Sequence, residues 1–407
     1  MQHDIARLLS ANTRRLINGL IAACLTMNSL PGIAVTPPGS DPFYDPPKLM
    51  PQSRHGTLLR WRPFEPAGLA ARGWQILYQS SDVRGKPIAV SGTVLMPADS
   101  RRMTDTPVIA WAPGTQGQAD ICAPSYQYAT GTEYEVTLGV IPETLARGWT
   151  IVVTDYQGLG TPGDHTYVVG RAEGHAVLDA VRAAQQLPRA RISSRAPVGI
   201  MGYSQGGHAA AWAAQLHADY APDLRIKGVA TGAGPARIDE VFAYADNGVS
   251  PVSGVIPYVL LGMNAAYPEL KLDDTLSAYG KSVIAAVRHG ACLIDALSKY
   301  AGITDSVLLD GPPVLQRRDW RERFEQNRTG TSAPGMPALF FSSPSDQHVP
   351  YANASRLLKD WCARGATVTG RTIDASDHVT GLTLGWPVAL DWMADRFAGL
   401  PASSDCK

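Results

Sequence analysis

The pentapeptide Gly-Tyr-Ser-Gln-Gly at residues 202–206 has the composition and spacing of a nucleophilic serine motif. Glycines on both sides of Ser204 permit a turn so sharp that the hydroxyl projects above the backbone. An apolar stretch, residues 197–201, precedes the motif, and a helical pattern follows it. A strand, a turn and a helix in this order are the context that the motif requires. We therefore predict that Ser204 is a nucleophile.

A serine hydroxyl is a weak nucleophile at neutral pH and needs a base with an orienting carboxylate. In this strand–turn–helix arrangement the partners follow the serine in the order acid, then histidine. Asp346 follows the apolar stretch 337–342, and His378 follows the last stretch of this kind. Catalytic groups collect at the carboxyl ends of parallel strands. We predict that His378 is the base and that Asp346 orients it.

Three nearby residues are alternatives to this pair. Asp377 is adjacent to His378, and neighbouring residues on a loop usually point apart. Asp374 lies at the end of a strand, and His348 could be the base only if the nucleophile reached the loop assigned to the acid. Chain order favours the first assignment.

Attack on an ester carbonyl creates an oxyanion, which requires preorganised hydrogen-bond donors. One donor is expected to be the backbone N–H of Gln205, the residue after the nucleophile. The other is expected from the loop at residues 113–117, where we predict Thr115, with Gln116 as the alternative. An ordinary turn is the alternative interpretation of this loop.

The remaining motifs predict neither a metal nor an organic cofactor. Residues 158–163 match a dinucleotide fingerprint, but no helix opens after Pro162 and no acid follows at the required distance. His208 and His217 are predicted to be structural. A further group of acids and histidines fits no metal-ligand spacing and is predicted to lie in a surface loop and a helix N-terminus: Asp164, His165, Glu173 and His175.

The elements that must position these residues are indicated by the hydrophobic pattern. Alternation in residues 73–80 and 88–95 predicts an antiparallel hairpin. Continuous apolar stretches predict strands covered on both faces, at residues 107–112, 150–154, 198–202, 226–231, 337–342 and 368–373. Helical patterns occur at residues 173–187, 208–220, 351–364 and 386–397. Alternating strands and helices predict an α/β fold, with a mostly parallel central sheet flanked by helices.

Residues 238–330 contain helical patterns but no convincing strand. An insertion of this length far exceeds an ordinary connection, so we predict a large, mainly helical cap or lid over the sheet. The core is then expected to consist of residues 37–237 and 331–407.

The chain has 407 residues, with 36 basic and 36 acidic side chains. Zero net charge argues against a nucleic-acid partner, because affinity for phosphate backbones comes mainly from surplus Lys and Arg. No uninterrupted apolar stretch reaches 18 residues, which excludes a multi-pass membrane protein.

Residues 1–36 have the layout of a secretory signal: two arginines, a modest apolar run and then small, turn-forming residues. We expect a secreted or periplasmic protein. The sequence before Cys24 also resembles a lipoprotein cleavage box, so a lipid anchor on Cys24 is an alternative. The four other cysteines, Cys122, Cys292, Cys362 and Cys406, allow three pairings, and an oxidising compartment favours two disulfides.

The chain resembles the secretory lipase family of α/β-hydrolases. The resemblance rests on Asp-Pro-Phe-Tyr at residues 41–44, Cys-Ala-Pro-Ser at 122–125, Thr-Asp-Tyr-Gln-Gly-Leu-Gly at 154–160 and Gly-Tyr-Ser-Gln-Gly-Gly at 202–207. It covers nearly all of the chain after the signal.

The resemblance implies an α/β-hydrolase fold with a large helical lid between the serine and the acid. Asp346 and His378 stand where the family keeps its acid and base. The implied disulfides are Cys122–Cys292 and Cys362–Cys406.

We therefore expect an exported lipase or carboxylesterase that acts on lipid esters, is monomeric and contacts a lipid interface transiently through the cap. Three alternatives remain: an acyltransferase, a peptidase with the same triad, and a non-catalytic lipid-binding lipoprotein.

Overall fold

The structure is a computed structural model and describes residues 35–99, 105–290 and 292–406. The predicted signal and Cys24 lie outside these residues. The strands are β1 Leu58–Phe64, β2 Ala71–Ser81, β3 Pro87–Pro97, β4 Val108–Ala112, β5 Thr150–Thr154, β6 Val198–Tyr203, β7 Ile226–Gly232, β8 Ala338–Ser342 and β9 Val368–Thr372.

These strands form one mixed sheet in the order β1-β2-β3-β5-β4-β6-β7-β8-β9. β1 to β3 are antiparallel, and β3 also pairs antiparallel with β5. From β5 to β9 every neighbouring pair is parallel. The predicted hairpin and the mostly parallel sheet are therefore confirmed, and the fold is that of an α/β protein.

The α-helices are α1 Pro124–Thr130, α2 Tyr134–Thr137, α3 Val140–Ala146, α4 Gly170–Gln185, α5 Gln205–Tyr220, α6 Ile238–Ala245, α7 Ile256–Ala266, α8 Leu272–Thr275, α9 Ala278–His289, α10 Leu293–Lys299, α11 Asp305–Leu308, α12 Arg318–Gln326, α13 Tyr351–Ala354, α14 Arg356–Cys362 and α15 His378–Phe397. Short 3₁₀ helices occur at Pro38–Ser40, Asp120–Cys122, Ser253–Val255, Pro268–Leu270 and Val314–Gln316.

Helices cover both faces of the sheet because the parallel strands are apolar on both faces. Successive residues of β4 belong to two different hydrophobic clusters: that of Ala110 includes residues of α4, α5 and α14, and that of Trp111 includes residues of α3 and α15. All five residues of β4 are buried. The continuous apolar pattern in the sequence thus reflects a strand enclosed on both sides.

Two of the predicted helices differ clearly from the observed ones. The final helix begins at His378, not near residue 386, because the Asp377 carboxylate accepts the Thr380 N–H and caps it. Pro387 lies inside this helix, where a proline removes one backbone donor and misleads a prediction from sequence. The pattern at residues 351–364 folds as two short helices, α13 and α14.

Residues 238–330, which we call the helical segment, contain α6 to α12 and have a hydrophobic cluster of their own. The cluster includes Ile256, Leu260 and Trp320, and it also packs against Tyr167 and Val169 of the sheet-bearing part. Among its described residues (all but 291), the segment contains isolated bridges but no strand.

Two disulfides connect distant parts of the chain, Cys122–Cys292 and Cys362–Cys406. These are the pairings that the resemblance implies. The first joins the 3₁₀ helix after β4 to the residue before α10, and the second joins the end of α14 to the C-terminal residues. No described helix combines the length and the hydropathy that crossing a membrane would require.

Candidate active site

Ser204 lies in a sharp turn between β6 and α5, with the unusual backbone angles φ 60° and ψ −124°. A non-glycine residue with positive φ has a strained backbone, and such strain is concentrated at functional sites. The turn packs so closely that a Cβ on Gly202 would lie 2.1 Å from the Gly206 carbonyl oxygen. A Cβ on Gly206 would lie 2.0 Å from the Ala112 carbonyl oxygen. The close packing of the turn therefore requires glycine at both positions.

His378 and Asp346 form a buried hydrogen-bonded pair. The Asp346 Oδ2 atom lies 2.7 Å from His378 Nδ1. The other oxygen, Oδ1, accepts the backbone N–H groups of His348 and Val349 at 2.9 and 2.8 Å. The His378 side chain is 9% exposed and that of Asp346 is fully buried. Because both carboxylate oxygens have partners, Asp346 holds the imidazole in one orientation.

The His378 backbone is fixed as well. Its N–H donates to Gln347 Oε1 at 2.9 Å, and the Tyr203 hydroxyl donates to its carbonyl at 2.8 Å. Tyr203 immediately precedes Ser204, so this bond ties the first turn of α15 to the end of β6.

Ser204 and His378 line the same cavity, which has a volume of about 420 Å³. No hydrogen bond joins their side chains in this structure. Catalytic hydrogen bonds are often long before substrate binds, so the missing bond is compatible with proton transfer between these two residues.

The alternative site residues occupy other roles. Asp377 caps α15, and its carboxylate also accepts from the Ser376 and Thr380 hydroxyls. The ring centroid of His348 lies 4.8 Å from that of His378. Burial, with a contribution from the His378 charge, lowers the pKa of His348 to about 4. Asp374 is exposed.

The loop of residues 113–117 lies beside the nucleophile. Gly114 and Thr115 line the cavity together with Ser204 and Gln205. The Gly114 N–H is already bound to Glu135, whereas Gln205 is the first residue of α5, where backbone N–H groups lack partners within the helix. Thr115 Oγ1 bonds the Tyr167 hydroxyl at 2.8 Å.

A second carboxylate–histidine pair lies behind the nucleophile. Glu173 Oε2 and His208 Nδ1 are 2.7 Å apart, and both side chains are fully buried. Glu173 Oε1 accepts from the Gln205 side-chain amide at 2.8 Å, and the Asn327 carbonyl lies 2.8 Å from His208 Nε2. His208 is therefore a structural histidine, as the sequence predicted. His217 is one too, with Nε2 3.0 Å from the Leu224 carbonyl.

The predicted surface location of the nearby acids and histidines is wrong for most of them. His165, Glu173 and His175 are buried, and only Asp164 remains partly exposed, in an ion pair with Arg288. Charged residues at the start of a helix resemble surface residues, and the pairing that permits their burial comes from the tertiary fold. Among the described residues, no group of three or more His, Cys, Asp or Glu side chains is arranged to hold a metal ion.

The sequence also gave no indication of Glu133, Tyr134 and Glu135, which line the cavity next to the loop of residues 113–117. Both glutamates are buried, at 3% and 1% exposure. Burial raises the pKa of Glu135 to about 7. Burial and then the neighbouring carboxylate raise the pKa of Glu133 well above its usual value. Acids two positions apart in a short polar stretch are typical of a surface, so their spacing contained no signal.

Comparison with known proteins gives consistent results. A family model described as secretory lipase matches residues 124–405. A Mycobacterium tuberculosis protein named as a probable inactive lipase is 30% identical over 89% of this chain and 83% of its own length. Lipase 5 of Candida albicans is 30% identical over 91% of this chain and 83% of its own. The crystal structure of Candida antarctica lipase A in its closed state superposes with a TM-score of 0.82 at 25% identity, covering 92% of this chain and 89% of that one.

Proposed function

The chain belongs to the secretory lipase family, and from this premise we propose that it hydrolyses carboxylic esters of apolar acyl chains through an acyl-enzyme on Ser204. The observation that carries the proposal is the position of three groups. A serine in a strained turn and a histidine line one cavity, and the histidine is oriented by a carboxylate whose second oxygen is also occupied.

Each group has one role in the proposed reaction. Because Asp346 binds Nδ1 of His378, the Nε2 atom is left to take the proton of the Ser204 hydroxyl as it attacks the ester carbonyl. His378 then gives this proton to the leaving alcohol, and Asp346 stabilises the transient imidazolium. Water, activated by the same histidine, releases the acid from the acyl-enzyme.

The oxyanion of both steps would be bound by the backbone N–H groups of Gln205 and Thr115. The N–H of Gln205 lies at the first turn of α5, where the helix dipole also favours negative charge. Thr115 is favoured over Gln116 because it lines the cavity and Gln116 does not. Gly114 is excluded because Glu135 holds its N–H.

The walls of the cavity support an apolar acyl chain as the substrate group. Apolar residues line much of it, including Val168, Phe242, Val255, Ile256 and Val259. Most of these residues belong to the helical segment, which supports its proposed role as a cap on a core formed by residues 37–237 and 331–407. Contact of this cap with a lipid interface, and a monomeric state, are part of the same proposal.

Export is proposed from the signal-like residues 1–36 and is supported by the two disulfides, which persist in oxidising compartments. The mass of the mature N-terminus tests this point. A mass that matches a free cleaved terminus supports a secreted or periplasmic protein, and a diacylglyceryl adduct on Cys24 supports an anchored one.

Turnover of p-nitrophenyl esters of increasing acyl length tests the proposed function, with Ser204→Ala as the decisive variant. We expect this variant to lose at least about 10⁴-fold in kcat. Ser282→Ala is the matched control, because Ser282 is exposed on α9 and bonds only a neighbouring carbonyl there. Equal turnover by wild type and Ser204→Ala would overturn the proposal.

The same assay separates the alternatives. Cleavage of a matched amide would indicate a peptidase, and transfer to an added alcohol in preference to water would indicate an acyltransferase. Binding of fatty acid without any turnover would indicate a lipid-binding protein. One relative is named as a probable inactive lipase, so loss of activity within such a fold is a concrete alternative.

A further inference from the structure

Three consecutive residues, Glu133, Tyr134 and Glu135, contact three consecutive residues of the loop beside the nucleophile. Glu135 Oε1 accepts the Gly114 N–H at 2.8 Å. The Tyr134 hydroxyl donates to the Thr115 carbonyl at 3.2 Å. Glu133 Oε1 accepts from the Gln116 side-chain amide, also at 3.2 Å. We call residues 133–135 the clamp.

The Glu135 carboxylate has a second attachment that makes the clamp rigid. Its other oxygen, Oε2, accepts the indole N–H of Trp111 at 2.6 Å. Trp111 belongs to β4, the strand from which the loop emerges, and is 1% exposed. Glu135 therefore binds the loop and its parent strand with one oxygen each. Two N–H donors on two different oxygens match a carboxylate, which accepts at both.

Burying two acids in this place is costly, and ion pairing does not explain it. Neither Glu133 nor Glu135 belongs to an ion pair within the described ranges. A buried acid without a cation must be compensated by hydrogen bonds or by protonation, and burial raises the pKa of both glutamates. Those bonds come largely from the loop and from the N-terminus of α2, where Glu133 Oε2 accepts the Val136 N–H. A fold that needed only an apolar wall here would have no reason to place acids in it.

The contacts of the clamp leave the Thr115 N–H available. The Gly114 N–H, the Thr115 carbonyl and the Gln116 side chain are each held, and none of these three bonds uses the Thr115 N–H. The loop also packs tightly against the clamp, because a Cβ on Gly114 would lie 2.8 Å from the Tyr134 hydroxyl oxygen. The Gly114 N–H and the Thr115 carbonyl belong to the planar peptide units on either side of the unit that contains the Thr115 N–H, so holding them restricts the rotations by which this N–H could turn.

We propose that Glu135, with Tyr134 and Glu133, is a positioning residue that aims the Thr115 N–H at the oxyanion. This inference rests on the proposed function and adds to it the residues that preorganise the second donor. The clamp acts through the loop and has no part in the proton transfers assigned to Ser204, His378 and Asp346. Its effect is therefore on stabilisation of the transition state and not on substrate affinity.

Glu135→Gln is the first test, because a glutamine can accept from only one of the two donors and presents its own N–H to the other. We expect kcat to fall about 10- to 100-fold with little change in KM, since removing a donor outright costs about 100- to 1,000-fold. The inhibition constant of a trifluoromethyl ketone bearing the same acyl chain, which forms a tetrahedral oxyanion on serine, should rise by the same factor. Affinity for the corresponding non-hydrolysable ether should stay unchanged.

Asp155→Asn is the matched control. Asp155 is a fully buried acid that, like Glu135, belongs to no ion pair among the described residues; it accepts from Ser91 and Ser125 and does not line the cavity. Its variant should lose stability without a change in kcat or in the inhibition constant. A structural effect of burying an amide would appear equally in both variants, whereas a positioning effect appears only in Glu135→Gln.

Tyr134→Phe decides the question if Glu135→Gln fails to fold, because it removes only one hydroxyl. We expect kcat to fall about three- to tenfold, as for one hydrogen bond, with KM unchanged. Tyr128→Phe is its control: that hydroxyl is buried and has no hydrogen-bond partner in the part of the chain that the structure describes. A kcat within twofold of wild type for Tyr134→Phe would overturn the clamp while Ser204-dependent hydrolysis stands. Absence of Ser204-dependent hydrolysis in wild type would instead overturn the proposed function and the clamp with it.

Discussion

The molecule contains two histidine–carboxylate pairs of the same length in very different surroundings. Asp346–His378 lines the cavity, and Glu173–His208 lies behind the nucleophile; in both, the carboxylate oxygen is 2.7 Å from Nδ1. The difference lies at the second nitrogen. His208 Nε2 faces the Asn327 carbonyl, whereas no group in the described residues forms a hydrogen bond with His378 Nε2.

This comparison shows that a short contact between a carboxylate and an imidazole does not identify a base. Reactivity requires a free second nitrogen with access to substrate. In the Glu173–His208 pair both carboxylate oxygens and both ring nitrogens have hydrogen-bond partners. Such a pair can only hold structural elements together, here α4, α5 and the end of the helical segment. Mutation of the two pairs should therefore separate activity from stability.

Asp346→Asn should have the largest effect of the changes at these pairs. Asparagine can keep the shape but cannot hold the imidazole in the reactive tautomer, so we expect kcat to fall on the order of 10⁴-fold. Steady-state ester hydrolysis measures the loss, and a thermal melt close to that of wild type shows that the fold is intact. Retention of more than a tenth of wild-type kcat would contradict the assignment of the acid.

His208→Gln should reverse this pattern. Breaking a buried pair leaves Glu173 unpaired and is expected to lower the free energy of unfolding by about 3–5 kcal/mol. Because His208 does not line the cavity, kcat of the folded fraction should stay within about tenfold of wild type. Urea unfolding and kcat per folded molecule are the two measurements. A kcat loss as large as that of Asp346→Asn would mean that the two pairs do not differ as described.

His348→Gln should have the smallest effect and tests the electrostatics of the cavity-lining pair. Burial and the neighbouring His378 lower the pKa of His348 from 6.5 to about 4. Between these values the unfolded chain binds a proton that the folded protein excludes, so this residue makes stability fall as the pH falls. Without His348, the loss of unfolding free energy between pH 7 and pH 4 should be smaller by about 1–3 kcal/mol. Equal pH dependence of urea unfolding in both proteins would contradict the lowered pKa.

Much of the core could be predicted because its determinants are local. The strands are short apolar runs, and the turn at Ser204 requires glycines at fixed positions. Asp346 and His378 were indicated by their place after strands, and the structure brings them into contact. Their catalytic roles stay predictions until the variants are measured.

The remaining features depend on contacts between distant residues. Glu173 is separated by 35 positions from His208, and nothing local signals that two such groups will be buried together. Glu135 meets its partners only after β4 and α2 have packed. The start of α15 is a further example, because its cap, Asp377, is also an alternative catalytic acid in the sequence and does not by itself indicate a helix.

The disulfide at Cys122–Cys292 has a mechanical consequence for access to the cavity. It fastens the helical segment to the core just beyond the loop of residues 113–117, and the Leu293 N–H also donates to the Gln116 carbonyl there. If the helical segment moves away from the sheet, it must therefore rotate about a point near this disulfide. Residues of the segment far from Cys292 would then move more than those beside the loop, whose hydrogen bonds could stay in place.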